Sequence, residues 1–584
     1  MTSQNNNNHV ENDPVETHAP NLRYLVSWRR RITEYAVAAF SGLLISFTFP
    51  PLELDWIAWV ALIPILLLPV PLVKRRRIVI GIIFGLSYFI PSLFWLNEIG
   101  FAAGILLAVI CAFFPAAWYV LFGACAANFP FFSGENQDKP DENNPKLPPS
   151  ICFSDRPLIF AFFSVAGSAS WVALEWVRSW LFTGFPWDLL GVSQWQHTGL
   201  LSVTAFTGVY GLSFLLVSVN FTIAWVIAMW SKRWQGRKIA VFPWPVLVAV
   251  VVLMLAVSSR FAVTELGKVD KTLNVVGIQG NLTQRRQWNE ELLDEAINVY
   301  DSLTRKAAST QTDEIDLIVW PETALPAPVQ WNDKCVKMLK GIFRDYDINF
   351  LIGSLAYRPE SEDSEHRYEQ VNSVIHLGPD GKIQGTYDKT HLVPFGEYVP
   401  FGNRLPWLRD IIGMGRDLRA GQNYNPITLP GNVQAGINIC YEDVFPNLSR
   451  KFVGRGADLL MTLTNDAWYA ESAGSRQHMI HAVFRAAENR RPLFRSGNNS
   501  DTCLILPNGE VQGLLYDSSS GNRFVRGFRR YKVPVWEDAP LTFYTQFGDV
   551  FAVVCTIVGV SLAILCFAFY FMYKEKCRNR IAPN

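Results

Sequence analysis

Charge is scarce in this sequence: Asp, Glu, Lys and Arg make up 18% of its 584 residues, where a soluble domain carries about 25%. The charge present has almost no sign, with 52 basic against 51 acidic side chains. That balance gives no reason to expect nucleic acid as a partner. Paired cysteines are lacking too. The nine cysteines follow no framework spacing, which argues against a disulfide scaffold; Cys335, Cys440 and Cys503 are the ones in the long polar stretch 260–546. The first 20 residues lack the basic start and apolar middle of a signal peptide. Rich in Asn, they read as a disordered tail.

What the chain has instead is apolar and aromatic mass. Half of it is hydrophobic and 14% is Phe, Trp or Tyr, side chains that collect in apolar cores and at bilayer interfaces. After the basic cluster at Arg29, Arg30 and Arg31, apolar runs occupy 35–49, 56–72, 78–96, 101–125, 158–177, 200–230, 241–256 and 550–573. Each is close to the length of about 20 residues that crosses a bilayer as a helix. Short basic loops stay in the cytoplasm. With both termini inside, eight crossings put the clusters at 29–31, 74–77, 232–238 and 574–580 on that side. The opposing loops 50–55 and 97–100 contain no Lys or Arg. A polar insert at 133–150 then reads as a cytoplasmic loop.

Residues 260–546 form the one long polar stretch, placed outside the cytoplasm by this count. Short β-rich runs at 273–279, 317–320, 350–354, 373–377, 433–440, 459–464, 493–495 and 502–506 alternate with helical segments, notably 289–308 and 477–489. Interleaving of this kind predicts an α/β layered fold with functional groups at strand ends. The expected organisation is a cytoplasmic tail (1–28), a transmembrane domain (29–259), an α/β domain (260–546), and a last span with a basic tail (547–584).

Three strand-end segments hold chemistry-bearing side chains. In GINICYED (436–443) an apolar alternating run ends at Cys440, an expected exposed thiol with Tyr441, Glu442 and Asp443 keeping its surroundings polar. In VWPETALP (319–326), Pro321 fixes the backbone ahead of Glu322 beside Trp320. A partly desolvated carboxylate there suits a general base. In YDKTHLVPFGEYVP (387–400), prolines and a glycine stiffen a loop that carries Lys389, His391 and Glu397, and its lysine is a candidate oxyanion clamp. A thiol is mostly protonated at neutral pH and needs both a base and an oxyanion partner for acyl transfer. The three segments supply all three. His478 and His481 sit one helical turn apart without a third ligand or an H-E-x-x-H pattern, so they read as structural and no metal or other cofactor is expected.

These segments, with LTNDAWY (463–469), resemble those of the nitrilase superfamily. Together with the spans, TGFPW (183–187) and VVGIQGN (275–281), they resemble the apolipoprotein N-acyltransferase family over nearly the whole chain from about residue 29. The resemblance implies an α-helical polytopic membrane domain of eight transmembrane helices plus an extracytoplasmic α/β nitrilase-like α-β-β-α sandwich, in a bacterial inner membrane. It implies Glu322 as general base, Lys389 as oxyanion stabiliser and Cys440 as the acylated nucleophile. Glu397, Glu442 and Tyr441 would support them, with Trp288 and Trp468 near the lipid entry. The implied partners are a membrane phospholipid as acyl donor and diacylglyceryl-modified apolipoproteins as acceptor, served by a monomer. One segment departs from the family pattern: RSGNNSD (495–501) is unexpectedly polar. The competing readings are a membrane-tethered amidohydrolase of the same superfamily, which has little use for eight spans, and a transporter or receptor, for which the spans hold few charges beyond Glu175 and Arg178.

Overall fold

The computed structural model describes residues 21–71, 73–128, 157–234, 266–283, 290–310, 314–360, 368–413 and 416–581. The N-terminal part is helical: α1 (Asn21–Ser46), α2 (Ile63–Leu67), α3 (Lys74–Ser92), α4 (Phe101–Asn128), α5 (Pro157–Arg178), α6 (Thr198–Leu201), α7 (Thr204–Thr207) and α8 (Tyr210–Trp234). Among the described residues, Gly104–Cys125, Phe160–Arg178 and Tyr210–Ser231 are long and apolar enough to cross a membrane. Shorter apolar helical stretches lie at Asp55–Leu67, Thr198–Thr207 and Val550–Leu565.

Two expected spans are not continuous helices. The run 56–72 divides into a 3-10 turn, Asp55–Trp59, and α2. Pro64 near the start of α2 has no N–H to extend a helix arriving from upstream. The run 200–230 breaks at Gly208, whose φ of 62° is left-handed, so a membrane-length helix begins only at Tyr210. Gly208 is required there for a second reason, since a Cβ would stand 2.8 Å from the Tyr544 ring. The run 241–256, the insert 133–150, the first 20 residues and Trp288 lie outside the described residues.

The α/β part contains two six-stranded sheets. The first comprises β1 (Lys271–Gln279), β2 (Leu317–Trp320), β3 (Asn349–Pro359), β4 (Tyr368–Leu377), β5 (Ile383–Asp388) and the late strand β12 (Gly527–Val535), in the order β12-β1-β2-β3-β4-β5. The second comprises β6 (Ile427–Leu429), β7 (Val433–Ile439), β8 (Leu459–Asn465), β9 (Leu493–Asn498), β10 (Cys503–Ile505) and β11 (Val511–Gln512), in the order β11-β10-β9-β8-β7-β6. Each sheet has three parallel central strands, β1-β2-β3 and β7-β8-β9.

The period-two rule separates the layers. Val275, Leu317, Val319 and Leu351 point into a core shared with Ala435, Ile437 and Leu459 of the second sheet. Their neighbours Val276, Ile318, Trp320 and Phe350 point the other way, under α9 (Glu290–Ser309) and α10 (Asp333–Asp345). Contact between the sheets is close at Gly277, where a Cβ would lie 2.9 Å from Thr502 Cγ2 and 3.0 Å from Phe494 Cζ. Beyond the α11 arm (Pro406–Ile412), the outer face of the second sheet takes α12 (Pro446–Val453) and α13 (Ala473–Asn489). Gly436 is drawn against Phe452 of α12, within 2.5 Å of where its Cβ would stand. The chain closes with α14 (Phe543–Phe547) and α15 (Val550–Ile581).

α13 also joins the α/β part to the N-terminal helices. Gln477 Oε1 accepts from the indole N–H of Trp95 (2.7 Å) and of Trp187 (2.8 Å), while its Nε2 donates to the carbonyls of Pro50 and Ser92, both at 3.0 Å. One buried amide thereby satisfies two donors and two acceptors from three separate loops. At the other end of α13, Glu488 accepts from the Val209 N–H at 3.1 Å. Replacing Gln477 by Leu strands those partners, at about 1–3 kcal/mol for each buried group left unsatisfied. The Gln477→Leu protein is expected to unfold several degrees lower in detergent, as read by a thermal melt; an unmoved midpoint would show that water replaces the amide.

Candidate active site

The parallel strands of both sheets end on the same side, and the side chains picked out from sequence gather there. β7 stops at Ile439, and Cys440 follows with a φ of 52°, a left-handed backbone that costs a non-glycine residue about 1–3 kcal/mol. The conformation is held by Glu442. Its carboxylate accepts from the N–H groups of Ile439 (2.7 Å), Thr390 (2.7 Å) and His391 (3.1 Å), and from the hydroxyls of Thr390 (2.9 Å) and Tyr387 (2.8 Å). A single anion therefore pins the Cys440 turn to the loop that carries Lys389.

Lys389 follows β5 and is 1% exposed. Its Nζ lies 2.9 Å from Glu397 Oε1 and 3.3 Å from Glu322 Oε1. Asn372 on β4 donates through Nδ2 to both carboxylates, at 2.8 Å to Glu322 and 3.0 Å to Glu397. The second oxygen of Glu322 accepts from the Asn465 N–H at 2.9 Å, tying the end of β2 to the end of β8. Burial pulls the ammonium down, but the Glu322 and Glu397 carboxylates outweigh it and hold Lys389 well above its ordinary value. Lys389 stays charged.

The thiol is not exposed as the strand-end pattern predicts. Cys440 is 7% exposed, because the turn folds onto the loop after α5: the Tyr441 hydroxyl donates to Gly184 O at 3.4 Å and the Tyr441 ring stacks on Trp187 at 6.4 Å. Burial pushes the thiol well above its ordinary value, Glu322 and Asp466 adding to the rise and Lys389 opposing it. At rest Cys440 is a neutral thiol. A thiol in this state can attack a carbonyl only if its proton leaves as the bond forms.

Behind Cys440 lies a group that sequence reasoning did not identify. Asp443, Asp466, His478 and Arg495 are all fully buried. His478 Nδ1 lies 2.7 Å from Asp466 Oδ1 and its Nε2 3.0 Å from Asp443 Oδ1. Arg495 reaches Asp443 Oδ2 at 2.6 Å and Asp466 Oδ2 at 3.1 Å. Thr464 and Ser500 donate their hydroxyls to Asp466. The polar segment 495–501 is thus one wall of this cluster. The readable signal was a charged residue inside an apolar strand, LFRSGN, which can be buried only with partners. Cys440, Asp466 and His478 bring one ligand-type atom each to within 4.8 Å of one another. Carboxylate oxygens stand within 3.0 Å of both ring nitrogens of His478, and an imidazolium held between them would have no lone pair to offer a metal.

Other residues fall at the periphery. Trp468 is 46% exposed beside the site. His391 packs its ring on Phe445 at 4.0 Å, and burial together with the nearby Lys389 charge pushes it down to about 4, so it is neutral. His481 faces the Trp187 ring at 5.0 Å.

A family model described as Apolipoprotein N-acyltransferase N-terminal domain matches residues 41–222, and one described as Carbon-nitrogen hydrolase matches residues 276–521. The apolipoprotein N-acyltransferase of Geobacter metallireducens is 31% identical over 91% of this chain and 95% of its own length. Apolipoprotein N-acyltransferase 1 of Treponema denticola is 27% identical over 87% and 91% respectively. Among solved structures, a Saccharomyces cerevisiae member of branch 10 of the nitrilase superfamily covers 46% of this chain and 91% of its own, at 15% identity and a TM-score of 0.33. An amidase from Nesterenkonia covers 48% and 95%, at 17% identity and a TM-score of 0.32.

Burial opposes the charge on His478, but Asp466 and Asp443 raise it to about 9 from an unfolded value of 6.5. A group raised on folding stabilises fully below its unfolded value and loses that contribution as pH climbs through its folded value. Stability in detergent is therefore expected to fall between pH 6.5 and about 9. Melting midpoints across that range test this, and the slope should flatten in His478→Gln.

Proposed function

Because the chain belongs to the apolipoprotein N-acyltransferase family, we propose that it moves a fatty acyl chain from a membrane phospholipid to the α-amino group of the diacylglyceryl-modified N-terminal cysteine of apolipoproteins. The observation that carries this reading is the buried Lys389 ammonium, held between Glu322 and Glu397 where it acts on the Cys440 thiol. A base, a fixed cation and a thiol at converging strand ends are what acyl transfer through a thioester needs.

In the first step Glu322 takes the proton from Cys440 as sulfur attacks the ester carbonyl, and Lys389 stabilises the oxyanion. The C–O bond then breaks, and Glu322 returns the proton to the departing lysophospholipid oxygen. In the second step the acceptor amine attacks the thioester carbonyl. Glu322 accepts the amine proton, Lys389 again faces the oxyanion, and as the C–S bond breaks Glu322 passes that proton to the departing sulfur, restoring the thiol and the carboxylate. Glu397 holds Lys389 at 2.9 Å, and Glu442 maintains the strained backbone of Cys440. Tyr441 ties the turn to the helical part through Gly184. Trp468, exposed two residues after Asp466, is assigned to the lipid entrance; Trp288, expected beside it, lies outside the described residues.

The same reading places 29–259 and 547–584 in a bacterial inner membrane as eight spans with both termini cytoplasmic. The α/β domain, 260–546, stands on the periplasmic face of a monomeric enzyme, and 1–28 is a cytoplasmic tail. The three membrane-length helices and the packing of α13 on the helical loops support that arrangement. Both substrates are lipids of the leaflet this domain would face.

Mass spectrometry of protein purified from its own membranes is expected to find a hydroxylamine-sensitive acyl adduct on the Cys440 peptide, absent from Cys440→Ala and Glu322→Ala. A reactive Cys440 that never carries an adduct would remove the acyltransferase reading. Glu442→Gln replaces one acceptor oxygen by an NH2 that faces N–H or O–H donors, and transfer is expected to fall at least tenfold, equivalent to about 1.4 kcal/mol. An unchanged turnover of lipopeptide by that variant would show that the turn holds itself.

A further inference from the structure

Taken with the reading of Cys440 as nucleophile, on which it rests, the geometry points to His478 as a positioning residue: an imidazolium locked between Asp443 and Asp466 that keeps their negative charge from disabling the Cys440 thiolate. The sulfur stands in an unfavourable field. Glu322 and Asp466 both act on it, with Lys389 the cation opposing them. Asp466 is near enough that its carboxylate, the His478 nitrogen and the sulfur lie within 4.8 Å of one another. An unneutralised carboxylate at that range would make the thiolate much harder to form.

Two cations meet the two acids. Arg495 bridges Asp443 and Asp466 from β9, and His478 bridges them from α13. With His478 charged, two negative and two positive groups balance; with it neutral, one negative charge is left beside the sulfur. The contacts favour the charged form, since Nδ1 is hydrogen-bonded to Asp466 at 2.7 Å and Nε2, without hydrogen-bond geometry, stands 3.0 Å from the Asp443 carboxylate, so two acids lie at ion-pair range of one ring. Among the described residues, other titratable groups near His478 are His481 and Arg485 on its own helix, Cys440 itself, and Tyr469, whose ring stands edge-on at 6.1 Å and which burial keeps neutral. His481 is neutral, held well below its ordinary value by burial and by Arg485. Arg485 is already paired with Glu488, while donating to the Asp443 and Val444 carbonyls at 3.2 and 3.1 Å. Neither supplies a replacement charge.

The test is the pH dependence of Cys440 alkylation by iodoacetamide, followed by peptide mass spectrometry on the full chain in detergent. His478→Gln, which removes the positive charge, is expected to raise the alkylation midpoint by about one unit and slow the reaction roughly tenfold at neutral pH. Asp466→Asn combined with His478→Gln restores the charge balance and is expected to bring the midpoint back towards wild type, whereas a packing role predicts no rescue. A midpoint that His478→Gln leaves unmoved, or that the double variant fails to restore, overturns the inference. If wild-type Cys440 resists alkylation at every pH, the nucleophile reading fails first. Should the variants not fold, 15N-histidine solid-state NMR of the wild-type protein in lipid decides: an imidazolium shielded from solvent exchange persists at pH 8 if the inference holds, and its absence overturns it.

Discussion

An ammonium group taken out of water must find opposite charge, and the site is arranged around that requirement at Lys389. Two carboxylates meet it, and they come from different places: Glu397 from the same loop and Glu322 from the end of a strand in the middle of the first sheet. Asn372 fixes the gap between them by donating to both. Moving any of the three would leave a charge or an amide buried without a partner, which costs more than most single contacts return. The cation is therefore held in place by the fold alone, the preorganisation that the oxyanion role proposed for Lys389 requires.

The two sheets provide the rest of the constraint. Parallel strands put their carboxyl ends on one side, so Glu322, Cys440 and Asp466 emerge together although they are far apart in the chain. Glu442 and the Asn465 N–H then stitch the ends of one sheet to those of the other. The left-handed backbone at Cys440 persists because five donors converge on the carboxylate two residues later.

Much of this was legible in the sequence. The apolar runs before Glu322 and Cys440 are β2 and β7, and the stiff Pro/Gly loop after 387 is where Lys389 sits. Strands β5, β6, β11 and β12 were not legible: 383–388 and 527–535 are polar on alternate positions or throughout, β6 and β11 are only three and two residues long, and only pairing with a neighbouring strand makes them strands. The breaks in two of the apolar runs escaped notice because hydropathy does not register Pro64 or Gly208. Burial of the thiol was missed because what covers it, the loop after α5, belongs to the other part of the chain. The Asp443–Asp466–His478–Arg495 cluster was hidden for a different reason. α13 reads as a polar helix, with Gln, His, Arg and Glu around its circumference, yet nearly all of it is buried, and a single sequence does not say which partners satisfy it.

Gln477 and His478 are consecutive residues on that helix. The first fastens to loops between the N-terminal helices, and the second to the acids behind the thiol. Heat that loosens the helical bundle would therefore release the thiol's surroundings at the same moment. Although two family segments can be distinguished along the chain, the α/β half is no detachable module. Cut free, it would open a face of stripped amides, indole partners and buried ions to water, and the chemistry would be lost with the anchor.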